Sequence, residues 1–398
     1  MLPLMASENR SENRSDIGKA PWAVRAAFLT NGLIVGALYA RLPDIKIQLG
    51  LSNSQIGTGL LCSALGVMFM ISQVGRMCAT RGSRPIVILA SYISAFTILP
   101  IAMAKNFFQF CLALFIWGAF LTMQDVAMNA HASTVEHVSK RRYMSGFHGV
   151  FSVGALLGGF IGGLASQYEV SILTQNIGIT TYFLITATLV RNWWLPAKTD
   201  IHEYHKEGKI KRPWILIFIG LLGLASTINE GAAGDWGGIL ARETFHAAPF
   251  LATLPYIFYN VAMVVGRFNG DRLASKFGPI RILFVAGIFS GIGLATGLII
   301  GGIYAQIFDW FAIGSGMSVV IPMVFSLAGE IARTRFAGQI APSQAVAAAS
   351  GISYLGFMVG PPFMGFLSNL LTLRWAMLIP AGLAFALAFG SRAIKTAH

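Results

Sequence analysis

The sequence predicts an all-α membrane protein with twelve transmembrane helices in two six-helix pseudo-repeats, and three observations support this fold class. The composition is 55% hydrophobic and only 11% charged, whereas soluble domains carry roughly a quarter charged residues. Uncharged apolar runs of about 20 residues, which cross a bilayer as single helices, recur from end to end. A basic segment at the midpoint, residues 191–212, holds six Lys/Arg and three acids and separates two apolar halves of similar size.

The apolar runs also predict the order of the elements along the chain. Helices are expected at about 21–41, 54–75, 85–104, 107–131, 144–166, 170–190, 213–233, 248–269, 280–302, 304–328, 342–367 and 374–391. We therefore expect an N-terminal bundle at 21–190, a cytoplasmic linker at 191–212 and a C-terminal bundle at 213–391. Residues 1–20 are predicted to form a disordered cytoplasmic tail, and residues 392–398 form a second cytoplasmic tail.

The distribution of charge indicates how the chain is oriented. With both termini in the cytoplasm, five of the 29 Lys/Arg face the outside, and the others lie in cytoplasmic segments or at inner helix edges. The outer five are Arg41, Lys46, Lys105, Arg242 and Arg374. This bias follows the positive-inside rule, so the net charge of +13 indicates membrane topology and no nucleic-acid partner.

Predicted helices 5 and 11 carry the clearest internal repeat. A constant offset of 202 residues aligns four pairs of small residues: Gly154 with Gly356, Gly158 with Gly360, Gly163 with Gly365, and Ser166 with Ser368. Glycines four apart form a flat stripe that lets a neighbouring helix approach closely. The repeat predicts a duplicated six-helix unit, an architecture in which transport sites lie at the interface of the repeats.

Two basic, glycine-containing loops occupy matching positions in the halves. The first follows predicted helix 2 and contains Gly75, Arg76, Gly82 and Arg84. The second follows predicted helix 8 and contains Gly266, Gly270, Asp271, Arg272 and Gly278. Each loop ends at a proline that opens the next helix, which favours an equivalent turn in each half.

On these residues the whole chain resembles the major facilitator superfamily, whose cytoplasmic loop motif has a glycine, then Asp-Arg, then a second glycine. The first loop departs from that motif, because Ala79 and Thr80 stand where the Asp and its basic neighbour are usual. Five other stretches resemble sugar-permease-like and uncharacterised bacterial inner-membrane carriers: 41–45, 125–130, 146–152, 230–236 and 356–362. The resemblance implies a secondary transporter with the major facilitator fold.

Candidate transport residues are ionisable or polar side chains that the pattern places inside the membrane, where burial is costly. Predicted helix 4 presents Gln124, Asp125 and Asn129 on one face, and predicted helix 5 presents His148 near its cytoplasmic end. A buried carboxylate near a histidine can exchange protons, as ion coupling requires. Two interpretations are open: direct participation in coupling or substrate contact, or an interhelical tie.

Predicted helix 7 ends in a second group of candidates, Glu230, Asp235 and Trp236, among four glycines. This composition favours a broken helix end, which membranes tolerate only where it lines a cavity. The hypothesis is an outer mouth or gate with Arg41 and Asp44 as partners, and a solvated outer loop is the alternative.

Four further polar residues lie in predicted helices; three of them have two possible roles each, and the fourth has one. Asn31, in the middle of predicted helix 1, forms either a helix–helix hydrogen bond or part of a cavity. Asn260 and Tyr354 are cavity candidates whose alternative is helix packing. Asp309, with Trp310 beside it, is interpreted as an interfacial anchor.

The arginine pattern bears on the substrate. Away from the loops, only Arg25 and Arg41 fall within predicted helices, both at helix ends, so a mid-membrane arginine clamp is not expected. This disfavours strongly anionic substrates and leaves sugars, other neutral polar solutes or organic cations.

The sequence contains no Walker loop and no paired Cys/His spacing, so we expect neither an enzyme nor a cofactor or metal site. It predicts a monomeric secondary active transporter in the bacterial inner membrane. The partners are a small polar solute, protons as the coupling ion, and membrane lipid. The alternatives are a proton-coupled exporter of drugs or metabolites, and a carrier-like membrane receptor or assembly partner with little flux.

Overall fold

The computed structural model describes residues 2–141, 143–199, 213–337, 339–340 and 342–394. Within its helices, the side chains of 2–17, 72, 145, 271, 342–343 and 347 are outside the description. Residues 200–212 of the predicted linker and 395–398 of the predicted tail also lie outside the described residues. The elements in these ranges are helices joined by short turns, with no strand.

Twelve helices account for the described chain. They are α1 Leu2–Leu49, α2 Asn53–Arg81, α3 Ser83–Met103 with a turn at Thr97, α4 Phe107–Ser139, α5 Met144–Gln167, α6 Ile172–Val190, α7 Trp214–Glu243, α8 Leu254–Phe277, α9 Pro279–Ile300, α10 Ile303–Arg335 with a turn at Ser318, α11 Pro342–Ala376 with a turn at Tyr354, and α12 Leu378–Ser391. Eleven are long and apolar enough to cross a membrane, and α12 is shorter. Helix ends are called outer or inner below according to the predicted orientation.

The end of α11 accounts for the short α12. Thr372 has a left-handed conformation (φ 65°) inside the range Leu355–Ala376, so the helix is kinked there. A non-glycine residue rarely adopts this conformation except at a turn. The turn from Leu373 to Ala376 therefore continues into α12, and together they form the predicted twelfth helix.

The N-terminal segment differs from the prediction. Helix α1 begins at Leu2, so the backbone of residues 2–20, predicted to be a disordered tail, continues the first helix. The segment contains neither glycine nor proline between Leu4 and Ile17, and these are the residues that most strongly interrupt a helix.

The described residues group into two compact units. One comprises residues 2–38 and 62–199, and the other comprises 39–61 and 213–394. The second unit thus includes the outer end of α1 and the start of α2, where Gly57 packs on the Pro361 backbone of α11. The division into bundles at 21–190 and 213–391 stays a prediction.

The glycine stripe of α5 packs against a second glycine stripe on α1, in the first unit. A Cβ added to any of these glycines would overlap backbone atoms of the facing helix. The four residues are Gly32 and Gly36 on α1 and Gly154 and Gly158 on α5. The close approach expected for α5 is therefore confirmed, and its partner is α1.

The equivalent pair in the second unit is α7 with α11. A Cβ on Gly356 would overlap Thr227 and the Leu224 carbonyl, and Gly360 faces Ile228. Since Gly356 and Gly360 are the repeat counterparts of Gly154 and Gly158, the same contact recurs in both halves. The predicted six-helix pseudo-repeat is confirmed.

We expect Gly158→Ala to destabilise the protein by about 1–3 kcal/mol, the usual cost of overpacking a tight interface. The added methyl group would overlap the Leu33 carbonyl and the Ala37 amide, and backbone atoms inside a helix cannot move aside. The melting temperature of the purified protein measures the effect. Gly178→Ala on α6 is the matched control, because its Cβ would meet nothing within 4 Å. Equal melting of the two variants would contradict the close α1–α5 contact.

Candidate functional site

The polar residues of the first unit meet where α4 crosses α1 and α3. Gln124 on α4 is fully buried. Its Oε1 accepts a hydrogen bond from Asn31 Nδ2 at 3.1 Å, and its Nε2 donates to Ser91 Oγ at 3.4 Å. A buried amide is costly without partners, and these two hydrogen bonds satisfy that of Gln124. They also tie α1, α3 and α4 together. The helix–helix hydrogen bond, one of the two interpretations of Asn31, is present.

Asp125 and Asn129 pair with each other one helical turn apart on α4. Asn129 Nδ2 donates to the Asp125 backbone oxygen at 2.9 Å and to Asp125 Oδ1 at 3.2 Å, and both residues are half-buried. His148 on α5 is exposed, with its ring edge-on to Phe28 at a centroid distance of 5.2 Å. Proton exchange between Asp125 and His148 stays a prediction.

Helix α7 continues without a break through the glycine-rich segment that was predicted to end it. It runs from Trp214 to Glu243, so the prediction of a broken helix end is wrong. The glycines serve packing: Gly234 lies against the ring of Tyr39, Gly237 against Trp310 and Gly238 against Pro43. A glycine costs a helix about 1 kcal/mol relative to alanine, and such close contacts can offset that cost.

Glu230, in the middle of α7, is bound by residues of its own helix and of α8. Its Oε1 accepts a hydrogen bond from Ser226 Oγ at 3.3 Å, and the Tyr259 hydroxyl also donates to it. Arg267 Nη2 lies 3.8 Å from Glu230 Oε2, with 42% of the Arg267 side chain exposed and 13% of the Glu230 side chain. These contacts form a polar cluster inside the second unit.

Arg267 is the functional candidate that the sequence analysis missed. It was assigned to a cytoplasmic loop, but α8 extends to Phe277, and its pairing with Glu230 places it near the middle of that helix. The expectation that no arginine lies away from the helix ends is therefore wrong. The sequence offered one signal for Arg267, its position directly after Gly266. In the structure Ser318 of α10 occupies the space that a Cβ of Gly266 would need.

Asp235 and Trp236 are buried residues of α7, and neither lies at a surface mouth. Asp235 is 4% exposed and interacts electrostatically with the phenols of Tyr39 and Tyr256, whose rings meet edge-on at 5.7 Å. Trp236 is fully buried and packs beside Gly365. The ring is covered by neighbouring elements, and the outer-gate role of Trp236 stays a prediction.

The remaining cavity candidates are held by neighbours of their own. Asn260 Nδ2 donates to the Tyr256 carbonyl at 2.8 Å, within α8. Tyr354 is half exposed, and its ring contacts the rings of Phe325 and Phe357. Helix packing is therefore present at Tyr354, Asn260 bonds within its own helix, and a cavity role for either stays a prediction.

Charged residues form a cluster at the outer ends of α1 and α7, in the second unit. Asp44 binds Arg41 Nε at 2.7 Å and Arg242 Nη1 at 3.6 Å. Lys46 Nζ forms an ion pair with Glu243 Oε1. Arg41 and Asp44 were predicted as partners of Glu230, Asp235 and Trp236; in the structure Asp44 pairs with Arg41 and with Arg242. We call these five residues the outer ion cluster.

The two motif loops are shorter than predicted. Gly75 and Arg76 belong to α2, and Gly266 to Arg272 belong to α8, so only the last glycine of each motif makes the turn. Gly82 (φ 78°, ψ 156°) and Gly278 (φ 79°, ψ 150°) share one conformation, which only glycine adopts readily. Arg84 follows the first turn, whereas the side chain of Asp271 lies outside the described residues.

Comparison with known proteins agrees with this architecture. Residues 26–342 match the model of the Major Facilitator Superfamily. An uncharacterized MFS-type transporter of Yersinia pestis is 30% identical over 380 residues, covering 94% of this chain and 95% of that protein. The membrane protein MosC of Rhizobium meliloti is 25% identical over 360 residues, covering 89% of this chain and 85% of that protein.

Two solved structures share the fold. The nucleoside transporter NupG superposes with a TM-score of 0.74 at 12% identity, covering 94% of this chain and 98% of that chain. The fucose:proton symporter FucP of E. coli, as a single-residue variant, superposes with a TM-score of 0.56 at 19% identity, covering 93% of this chain and 98% of that chain. With twelve helices, a repeated glycine contact and a family match over most of its length, the chain belongs to the Major Facilitator Superfamily of membrane transporters.

Proposed function

We propose that this protein is a secondary active transporter that moves a small polar solute across the bacterial inner membrane by alternating access, coupled to protons. The observation that supports this most directly is the pair of acids on α7, Glu230 and Asp235, near the middle of a transmembrane helix. Ionisable groups at that depth are expensive and mark substrate or ion pathways by default. The proposal includes a monomer with both termini in the cytoplasm.

The groups around these acids support a solute that is polar and carries no strong net charge. Arg267 is balanced by Glu230 at 3.8 Å, so the pair offers donors and acceptors without a large net charge. Tyr39, Tyr256 and Tyr259 add phenol groups and flat ring faces. Carboxylates and phenols accept hydrogen bonds from hydroxyl and amide groups, and this combination suits a sugar or a nucleoside.

The outer ion cluster supports alternating access. Its ion pairs join α1, from the first half of the sequence, to α7, from the second half. A carrier that opens outward must break contacts of this kind and re-form them in each cycle. In the Lys46–Glu243 pair, 38% of the Glu243 side chain is exposed; partly exposed pairs contribute only about 0–1 kcal/mol, so this one can be broken at little cost.

Charge reversal tests this role of the outer ion cluster. We expect Lys46→Glu or Glu243→Lys to raise outward opening about two- to fivefold, because a pair worth about 0.5–1 kcal/mol is replaced by like charges. The double reversal should restore the wild-type level. The measurement is labelling of Tyr39→Cys by a membrane-impermeant thiol reagent, after Cys62, Cys78 and Cys111 are replaced by serine.

Lys105→Glu is the matched control, since it reverses the charge of an exposed outer lysine that binds Gln109 Oε1 through its backbone amide. Unchanged labelling in both single reversals would show that these ion pairs do not hold the outer side closed.

A thermal-shift panel of sugars, nucleosides, amino acids and cationic drugs tests the solute class. A ligand that binds the folded protein raises its melting temperature by mass action. We expect a sugar or nucleoside to do so, and Asp235→Asn or Tyr256→Phe to weaken its binding about tenfold, as the loss of one hydrogen bond to a charged group implies. Glu169→Gln, which changes an exposed acid, should leave the shift unaltered.

The same panel discriminates between the two acidic sites. A shift that survives Asp235→Asn but disappears in Asp125→Asn or His148→Ala would move solute contact to α4 and α5. Uptake of the identified ligand into proteoliposomes, driven by a pH gradient, then tests transport itself. Binding without any flux would support the receptor alternative against this proposal.

A further inference from the structure

One face of α10 carries a buried polar cluster that the proposed solute contacts do not include. Gln306, Asp309 and Trp310 stand three and four residues apart, so their side chains share a face of the helix. All three residues have 0% exposure. The interpretation of Asp309 and Trp310 as interfacial anchors is wrong, because Gly293 and Gly297 of α9 let α10 approach until Asp309 lies against Gly297.

The polar atoms of this cluster lack hydrogen-bond partners in the described part of the chain. They are Nε2 and Oε1 of Gln306, both carboxylate oxygens of Asp309, and the indole nitrogen of Trp310. The carboxylate does interact with the backbone amide of Trp310, which also belongs to the helix ladder. Buried polar groups are nearly always hydrogen-bonded, so five such atoms within one helical turn indicate a site for a ligand.

No cation of the described residues pairs with Asp309. Helix α9 carries one charged side chain, Arg281, near its inner end, about 24 Å along the helix from Gly297. Arg374 donates to the carbonyls of Leu298 and Ile299, and Arg267 pairs with Glu230. The other titratable or charged groups on α10, or on elements that pack against this half of it, are Asp235, Arg242 and Glu243 of α7, Tyr256, Tyr259, Asp271, Arg272 and Lys276 of α8, and Tyr304, Glu330, Arg333 and Arg335 of α10, the last three at its inner end.

We propose that Asp309, Gln306 and Trp310 form a proton-binding site, in which the Asp309 carboxyl holds a proton while α9 and α10 are packed together. An ionised carboxylate that has no cation beside it and accepts no side-chain hydrogen bond is strongly disfavoured in a dry interior. Adding one proton gives a neutral carboxyl with one O–H donor. The amide oxygen of Gln306 is suited to accept the hydrogen bond from this O–H. Separation of the helices admits water, and the same proton then leaves to solvent.

A proton fits this cluster better than a metal cation. Calcium and magnesium ions take roughly six or more oxygen ligands, whereas the cluster offers three oxygens, two from Asp309 and one from Gln306. The indole N–H of Trp310 and the amide NH₂ of Gln306 are donors, and donors repel a cation. A role of Asp309 in proton coupling rests on the proposed transport function, whereas the protonation of its carboxyl does not.

Infrared spectroscopy of the purified protein tests the proton without any transported solute. We expect a carbonyl band of a protonated carboxyl at neutral pH that Asp309→Asn removes and Glu169→Gln leaves unchanged. The melting temperature of the wild type should fall as the pH rises, because the fold holds the protonated form. Asp309→Asn, which resembles the neutral carboxyl in shape, should remove that part of the pH dependence.

If Asp309→Asn fails to fold, Asp309→Glu serves instead, and the band is expected to shift in frequency. A band that persists unchanged in Asp309→Asn, or that disappears in Asp125→Asn or Asp235→Asn alone, would overturn the proposal. An intact band in a protein without flux would count against the transport function and leave this site standing. Flux in a protein with no such band would support the transport function and overturn the proton site at Asp309.

Discussion

Backbone contact through glycine is the constraint on which the rest of this structure depends. Lipid offers helices no hydrophobic reason to associate, so pairs of helices are held by close packing. Gly32 and Gly36 of α1 pack on the backbone of α5, and Gly154 and Gly158 of α5 pack on the backbone of α1; Gly356 of α11 makes the equivalent contact with α7. The polar residues follow from this placement, because Asn31 precedes one such glycine and Asp235 follows Gly234. The packing surface thereby fixes where the polar groups stand.

The acids of the transmembrane helices differ in how their charge is accommodated. Asp125 accepts from Asn129, and Glu230 has Ser226 and Arg267, so each has a neighbour that favours an ionised or hydrogen-bonded carboxylate. Asp309 has no such side chain in the described part of the protein. This difference separates Asp125 and Glu230, whose carboxylates have partners within the fold, from Asp309, at which we propose a bound proton.

Sequence periodicity predicts what depends on one helix at a time, and fails where two helices must be aligned in depth. The apolar runs predict the twelve helices, and the glycine offsets predict the repeat. Both can be read along the chain without knowing how the helices pack. The Glu230–Arg267 pair could not be predicted, because it depends on how α7 and α8 are aligned with each other in depth. The glycines of α7 resemble a helix break in sequence, and only the rings of Tyr39 and Trp310 packed on them reveal an intact helix.

The contacts inside the second unit differ in how easily they can open. The α7–α11 contact interlocks Gly356 with Thr227 and joins helices of one sequence half, so a rocking motion can leave it intact. The Asp44–Arg242 and Lys46–Glu243 ion pairs join different halves, and water can reach the partly exposed Glu243 to replace its partner at low cost. Gly57 and Gly365 also join different halves, through the backbones of Pro361 and Asn53. Glycine presents no side chain to disengage there, so this contact too can separate as a flat surface.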